Sequence, residues 1–231
     1  PPRSSDDISL ELIIKVHLKS AVITRALWIR VTRDGIEYNL IHPIIKLLSI
    51  NDDFDVIDTI IKMFNNAYPR GVPMIRSIWI YGRAIYRHTY GHVMYVKRYN
   101  SVSIHISSGR IRRDFGKCSP YWGWQVLGHE IAHLVGVGGG HYLSHGSVHL
   151  SVTRELLMES LPLSVSIPSI YYLLIDYLLS GCKRGYSRVR TDSVLYELRN
   201  VITNYDVDTN YYLGCSRRLV SVLRSCGILP M

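Results

Sequence analysis

A strongly apolar helix that also carries two histidines and a glutamate is the feature that most constrains this chain. The segment from Pro120 to Val135 is apolar around most of its circumference, which predicts a helix at the centre of the fold. His129 and His133 lie four positions apart and therefore share one helix face, with Glu130 beside the first of them. Burying three such polar groups is costly unless something pairs with them. The pattern therefore indicates a bound partner.

The spacing is typical of a metal site. Two imidazoles one helical turn apart can bind a single Zn²⁺, and a neighbouring carboxylate can deprotonate a water at the fourth position. We therefore predict His129 and His133 as zinc ligands and Glu130 as the general base. Gly136 follows three residues after His133, where a glycine suits the end of a helix.

Strands precede this helix and further helices follow it. The segment 107–121 is predicted as a loop, and an early helix begins near Asn51. Alternating apolar residues predict strands at 8–18, 27–32, 36–41, 74–81, 84–89, 92–99 and 101–107. Helical spacing predicts helices at 147–161, 168–179, 191–204 and 210–226. The fold class is therefore predicted to be α+β.

This order of elements suggests three parts. Residues 1–50 are predicted to form strands and a hairpin, with Asp34-Gly35 at the turn, that pack on the main domain. Residues 51–165 are predicted to form the catalytic core, and 166–231 a helical C-terminal subdomain.

Composition narrows the range of partners. The net charge is +9 in 231 residues, but the 20 arginines are scattered and no nucleic-acid motif is present, so nucleic acid is not an expected partner. The most apolar segment, 170–179, is too short to span a bilayer, which predicts a soluble protein, either cytoplasmic or secreted after trimming. A single glutamine fits a thermophile. Four dispersed cysteines leave both disulfides and buried thiols open.

The sequence Gly128-His129-Glu130-Ile131-Ala132-His133 in a helix that follows a mixed sheet resembles the zincin metallopeptidase superfamily. The resemblance implies a twisted mixed sheet, an early helix, and an edge strand that pairs with an extended peptide along the cleft. It also implies zinc as the cofactor and a peptide or protein as the substrate. Glu130 would activate a zinc-bound water and then pass a proton to the leaving amine.

The resemblance leaves two candidates for the third ligand. In gluzincins, a glutamate from the following helix completes the site. Glu155 lies 22 positions after His133, and Glu159, four positions later, would orient it by hydrogen bonding. We prefer Glu155.

Gly136 instead matches the metzincin pattern, in which a third histidine follows the glycine. Gly139 occupies that position here, and His141 comes two residues later, so His141 is the alternative third ligand.

The donor to a substrate oxyanion is also open. Four residues are close enough in sequence to be candidates, and none is singled out: His141, Tyr142, His145 and His149. The alternative to a zinc metallopeptidase is a zincin-like binding or interaction protein with a structural or vestigial metal site.

Overall fold

The computed structural model describes residues 7–17, 22–33, 36–41, 47–50, 56–67, 74–80, 89–96, 101–135, 143–184, 191–225 and 229–230. Strands dominate the first half of these residues and helices the second. The predicted α+β class is confirmed at this level.

An antiparallel sheet opens the chain. It contains β1 (Asp7–His17), β2 (Val22–Arg33) and β3 (Ile36–Ile41), paired in that order. Arg33 pairs with Ile36, so β2 and β3 form the predicted hairpin, although its turn residues lie outside the described part of the chain.

A second, mixed sheet leads to the motif helix. It contains β4 (Met74–Ile80), β5 (Gly91–Val96) and β6 (Ser101–Ile106), in the order β4-β6-β5. β6 is parallel to β4 and antiparallel to β5, which places β5 at one edge of this sheet. A further strand was predicted at 84–89. Thr89 is not part of a strand in the structure, and residues 84–88 lie outside the described ranges.

The alternation of apolar and polar residues in β6 is typical of a strand with one buried face and one face predicted to be exposed. Ile104 and Ile106 are buried as expected, but His105 is also buried. Its ring stacks on that of His92 in β5, with the centroids 4.6 Å apart. A cross-strand pair therefore covers the face that was predicted to be exposed.

Helices make up most of the remaining described chain. They are α1 (Val56–Ala67), α2 (Ser108–Phe115), a 3₁₀ turn (Gly116–Cys118), α3 (Ser119–Leu134), α4 (Ser147–Ser160), α5 (Leu163–Arg184), α6 (Thr191–Asn204), α7 (Thr209–Gly214) and α8 (Arg217–Ser225).

The prediction of a loop at 107–121 was wrong, because α2 lies within it. Ile111 and Phe115 are four positions apart and both are buried, so one face of α2 packs into the core. Asp114 is also buried, and it accepts hydrogen bonds from Tyr90 and Arg113. The exposed Arg112 and Arg113 interrupt the apolar residues of α2, so the helical spacing was not recognised in the sequence.

The single C-terminal helix predicted at 210–226 is divided into α7 and α8. Cys215 lies between the two helices and forms a disulfide with Cys118, the last residue of the 3₁₀ turn. Of the four cysteines, these two are therefore paired, whereas the side chains of Cys182 and Cys226 lie outside the described part of the structure.

Helix α3 lies at the centre of the helical layer, as predicted. Trp122 and Trp124 are fully buried, and the Trp124 indole donates a hydrogen bond to the Leu48 carbonyl over 3.1 Å. A Cβ atom on Gly128 would lie 3.2 Å from the Leu157 side chain, so this glycine allows α4 to approach closely. That approach determines which side chains of the two helices can meet.

Helix α5 packs beside them. Its segment Leu163–Ser180 is long and apolar enough to cross a membrane by length and composition alone, but 72% of it is buried inside the protein, as in a core helix. The boundary predicted between residues 165 and 166 falls inside α5. Residues on both sides of this boundary therefore belong to one continuous helix.

Candidate metal centre

Two helices bring three histidines together. His129 and His133 come from α3, and His149 comes from the first turn of α4. One ring nitrogen from each of the three lies within 4.8 Å of the others. Because the Gly128 contact brings α3 and α4 together, this cluster is a direct result of the packing. The three histidines could hold a metal ion.

Backbone contacts fix the orientation of His133. Its Nδ1 lies 2.6 Å from the carbonyl oxygen of Leu143, and the Leu143 amide donates in turn to the His133 carbonyl over 2.9 Å. A proton on Nδ1 is therefore donated to Leu143, which leaves Nε2 as the nitrogen with a lone pair. This is the usual way in which proteins orient a histidine ligand.

His149 is fully buried and is bonded at both ring nitrogens. Its Nδ1 lies against the hydroxyl of Tyr177 in α5, and its Nε2 lies 3.0 Å from the carbonyl oxygen of His129. Thr153, one turn further along α4, donates to the His149 carbonyl over 2.8 Å. A metal bond at Nε2 would replace the contact with the His129 carbonyl, and Nδ1 would then donate to Tyr177.

A fourth histidine lies against the other three. His145 precedes α4 and is exposed, and its Nε2 lies 2.8 Å from Nε2 of His129. One of these two nitrogens donates a hydrogen bond to the other. The cluster therefore contains four imidazoles, of which His145 is the one most open to solvent.

Glu130 is buried on the helix that carries His129 and His133, and its carboxyl group faces β5. A Cβ atom on Gly91 would lie 2.8 Å from Oε1 of Glu130 and 2.7 Å from the Val126 side chain. Only a glycine therefore leaves room for this carboxyl group. The edge strand β5 begins next to the glutamate, a relation between strand and motif helix that the sequence could not specify.

Burial determines the charge of these groups. Burial raises the pKa of Glu130 to about 8, and the negative charge of Asp176 adds to the shift. Burial, reinforced by neighbouring histidines, lowers the pKa of His149 to about 3. Burial likewise lowers the pKa of His133 to about 4 and depresses that of His129. The histidines are therefore neutral at pH 7, the form in which imidazole binds metals.

The donor set fits a metal ion of the zinc type. Neutral imidazoles suit Zn²⁺ and other late first-row ions, whereas Ca²⁺ and Mg²⁺ prefer oxygen ligands.

Of the two candidates for a third ligand, Glu155 lies in the described part of the chain and His141 does not. Glu155 and Glu159 are exposed and are not part of the histidine cluster. Glu155 lies six positions after His149, about 240° around the helix, so the face that meets α3 carries His149 and Thr153 instead. His141 and Tyr142 lie outside the described residues.

Sequence reasoning had considered His149 only as an oxyanion donor. A signal for its place in the cluster was present, because His145 and His149 form a second pair of histidines four positions apart. Tyr177 and Leu143 had no such signal, since their contacts depend on how distant segments pack. The pairing of Glu130 with Gly91 also depends on packing.

Comparison with protein-family models, curated proteins and solved structures finds no match to this chain.

Proposed function

We propose that this protein is a zinc-dependent metallopeptidase with His129, His133 and His149 as the zinc ligands and Glu130 as the general base. The observation that carries the proposal is a three-histidine cluster, two of whose members share helix α3 with the buried Glu130. A structural metal site needs no carboxyl group of this kind beside its ligands. The resemblance of the motif to zincins supports the same chemistry.

When bound, zinc would lower the pKa of a coordinated water and polarise the carbonyl group of the substrate. Glu130 would accept a proton from the attacking water and would deliver that proton to the amine nitrogen as the C–N bond breaks. A metal cation close to Glu130 opposes the effect of burial and favours the carboxylate that a base requires.

The packing around the cluster supports these roles. Leu143 and Tyr177 hold His133 and His149 in fixed orientations, and Gly91 leaves space for the glutamate carboxyl group. β5 lies at the edge of its sheet and begins at this carboxyl group, so an extended peptide added to that edge would pass the site. We propose that this edge receives the substrate.

Metal analysis combined with one conservative variant tests the proposal. The purified protein should contain one zinc per chain and should cleave a denatured protein substrate, with activity removed by a chelator and restored by zinc. The Glu130→Gln variant should keep its zinc but should lose at least roughly a thousandfold in kcat/KM. The glutamine side chain can form hydrogen bonds, but it cannot accept a proton. A wild-type protein without stoichiometric zinc, or a Gln variant with full activity, would rule the proposal out.

A second candidate function is a binding protein with a structural metal. The observation that favours this function is that both ring nitrogens of His149 make hydrogen bonds. Such bonding is typical of a histidine with a structural role in the core as well as of a metal ligand. This reading expects stoichiometric metal, a loss of stability when the metal is removed, and no cleavage of any peptide. The wild-type assay therefore separates the two functions.

A further inference from the structure

The ring of His145 lies against the rings of the other three histidines. The ring centroids of His145 lie 4.9 Å from those of His129, 4.6 Å from those of His133 and 5.3 Å from those of His149. The distances among the other three rings are 4.9, 4.5 and 4.1 Å. The ring nitrogens of His129, His133 and His149 lie within 4.8 Å of one another, and His145 reaches this group through Nε2 of His129.

The distance between the Nε2 atoms of His129 and His145 is close to the distance between two ligand nitrogens in a tetrahedral metal site. Metal–nitrogen bonds of about 2.0–2.1 Å place the ligand nitrogens of one ion ~3.3 Å apart. The Nε2 atoms of His129 and His145 are 2.8 Å apart, so a small separation would let one ion bind both. A hydrogen-bonded pair of imidazoles at this spacing is replaced by a metal-bridged pair without a change of backbone path.

His145 differs from the other three histidines in its surroundings. His129 and His133 belong to a helix in the core and His149 is fully buried, whereas His145 is exposed. It lies outside α4, next to Gly146, whose backbone is extended at the start of that helix. A side chain in this position can leave the ion for solvent without disturbing either helix.

We propose that His145 is a fourth, exchangeable ligand that closes the metal centre in the resting protein and leaves it when a substrate carbonyl or water takes the position. The inference rests on the proposed metal centre. Its consequence is a protein that holds zinc with four histidines at rest and whose activity is limited by release of one of them. The three ligands in the helices keep the ion bound while the fourth moves.

Ligand number in the wild-type protein gives the first test. X-ray absorption at the zinc edge of the loaded protein should show four nitrogen ligands with imidazole scattering and no oxygen ligand. In His145→Ala, one nitrogen should be replaced by oxygen. If the wild-type spectrum already shows three nitrogens and one oxygen, the proposal is overturned even though the metal centre itself stands.

Access to the ion gives a second test that does not depend on catalysis. Acetohydroxamate should bind to the cobalt-loaded His145→Ala protein at least tenfold more tightly than to the wild type, because no protein ligand has to leave. Zinc affinity should fall less in His145→Ala than in His149→Ala. The neighbouring exposed residue provides a matched control, and Val148→Ala should behave like the wild type in both measurements.

Each result of this experiment has a defined meaning. Equal hydroxamate affinity in the wild type and His145→Ala would overturn the proposal, as would a loss of zinc as severe as in His149→Ala, which would make His145 a permanent ligand. Absence of zinc from the wild type would instead refute the metal centre and thus the proposed function. Should His145→Ala fail to fold, His145→Asn provides a polar replacement for the same measurements, and the wild-type absorption spectrum is decisive without any variant.

Discussion

Burial determines the protonation states of Glu130, His133 and His149. Without a metal, His133 and His149 titrate at about 4 and about 3, well below an ordinary histidine, because the charged form loses its hydration. For the same reason Glu130 titrates at about 8, above an ordinary glutamate. The metal-free site therefore carries little charge at pH 7, and it is ready to accept a cation.

Glu130→Gln should stabilise the metal-free protein at pH 8 and should have little effect below pH 4.5. The folded carboxyl keeps its proton up to a pKa of about 8, whereas the unfolded one releases it near 4.5. The contribution of Glu130 to the unfolding free energy is therefore complete below pH 4.5 and is lost as the pH rises to 8. The variant has no such proton and should gain on the order of a few kcal/mol over this range.

Urea unfolding of the two metal-free proteins at several pH values measures this difference. The histidines are common to both proteins, and their lowered pKa values act in the opposite direction, adding stability as the pH rises towards 6.5. Their effect cancels when the two curves are subtracted. A difference that stays constant between pH 4.5 and 8 would show that Glu130 ionises normally in the folded protein.

Gly91→Ala should reduce peptidase activity by roughly tenfold or more, because small displacements of a catalytic group are costly. The added Cβ would meet Oε1 of Glu130 at 2.8 Å and the Val126 side chain at 2.7 Å, so the carboxyl group must move. The assay is kcat/KM with zinc content measured on the same samples. Gly214→Ala is the matched control, since a Cβ at that position meets nothing within 4 Å. Unchanged kcat/KM in zinc-loaded Gly91→Ala would contradict the placement of Glu130 against β5.

At the residue scale, sequence predicts what is local and misses what is brought in from elsewhere. His129, Glu130 and His133 follow from helical spacing, and the structure brings the two histidines together. Glu155 was preferred because, in gluzincins, a glutamate on the helix that follows the motif binds the metal. In this structure, the rotation of α4 about its axis determines which of its side chains face α3. That rotation depends on Gly128 and Leu157, whose contact no short pattern encodes.

At the scale of elements, α5 contacts the histidine cluster through Tyr177. Tyr177 on this helix is buried, and burial raises the pKa of its phenol, so it stays protonated and hydrogen-bonded to His149. The hydroxyl orients the imidazole that α4 supplies. A helix that touches no metal thus helps to define the geometry of the site.

Tyr177→Phe should lower zinc affinity by about 10- to 100-fold, the usual cost of losing a partner that orients a ligand. The ring of the variant keeps its packing, so the unfolding free energy should change far less than the affinity. Competition with a chromophoric chelator gives the affinity, and chemical unfolding of the metal-free protein gives the stability. Tyr196→Phe, an exposed tyrosine on α6, serves as the control. Equal affinities in the wild type and Tyr177→Phe would mean that His149 is oriented without Tyr177.

Element prediction succeeded where periodicity was clean. Strand β3 and the motif helix α3 appear close to their predicted bounds, whereas β2 begins at Val22 rather than at 27 and α1 is described from Val56 rather than from Asn51. Helix α2 was missed because its buried positions are only Ile111, Phe115 and a few small or paired polar residues among arginines. The order β4-β6-β5 could not have been read from sequence, since strand order is set by pairing between distant segments.

At the scale of the whole molecule, aromatic packing and the Cys118–Cys215 disulfide hold the described helices together. Phe115 stacks on Trp122 with ring centroids 3.8 Å apart, and Tyr172 of α5 contacts both rings. The tail is connected to this core at the Cys118–Cys215 disulfide. Four isolated cysteines could not predict this pair, because connectivity depends on which loops meet in the fold.

Reduction of Cys118–Cys215 should lower the unfolding free energy by about 4–5 kcal/mol, near the upper end for a single disulfide, because the bond closes a long loop in the unfolded chain. The two cysteines are 97 positions apart in sequence, and a loop of this length has much entropy to lose. Chemical unfolding with and without a reductant measures the effect. In the presence of the reductant, the double variant Cys118→Ser, Cys215→Ser should match the reduced wild-type protein. Because the disulfide precedes α3 by a single residue and lies away from its histidines, zinc stoichiometry should survive reduction under folding conditions. Equal stability of the oxidised, reduced and doubly substituted proteins would show that this link contributes nothing to the fold.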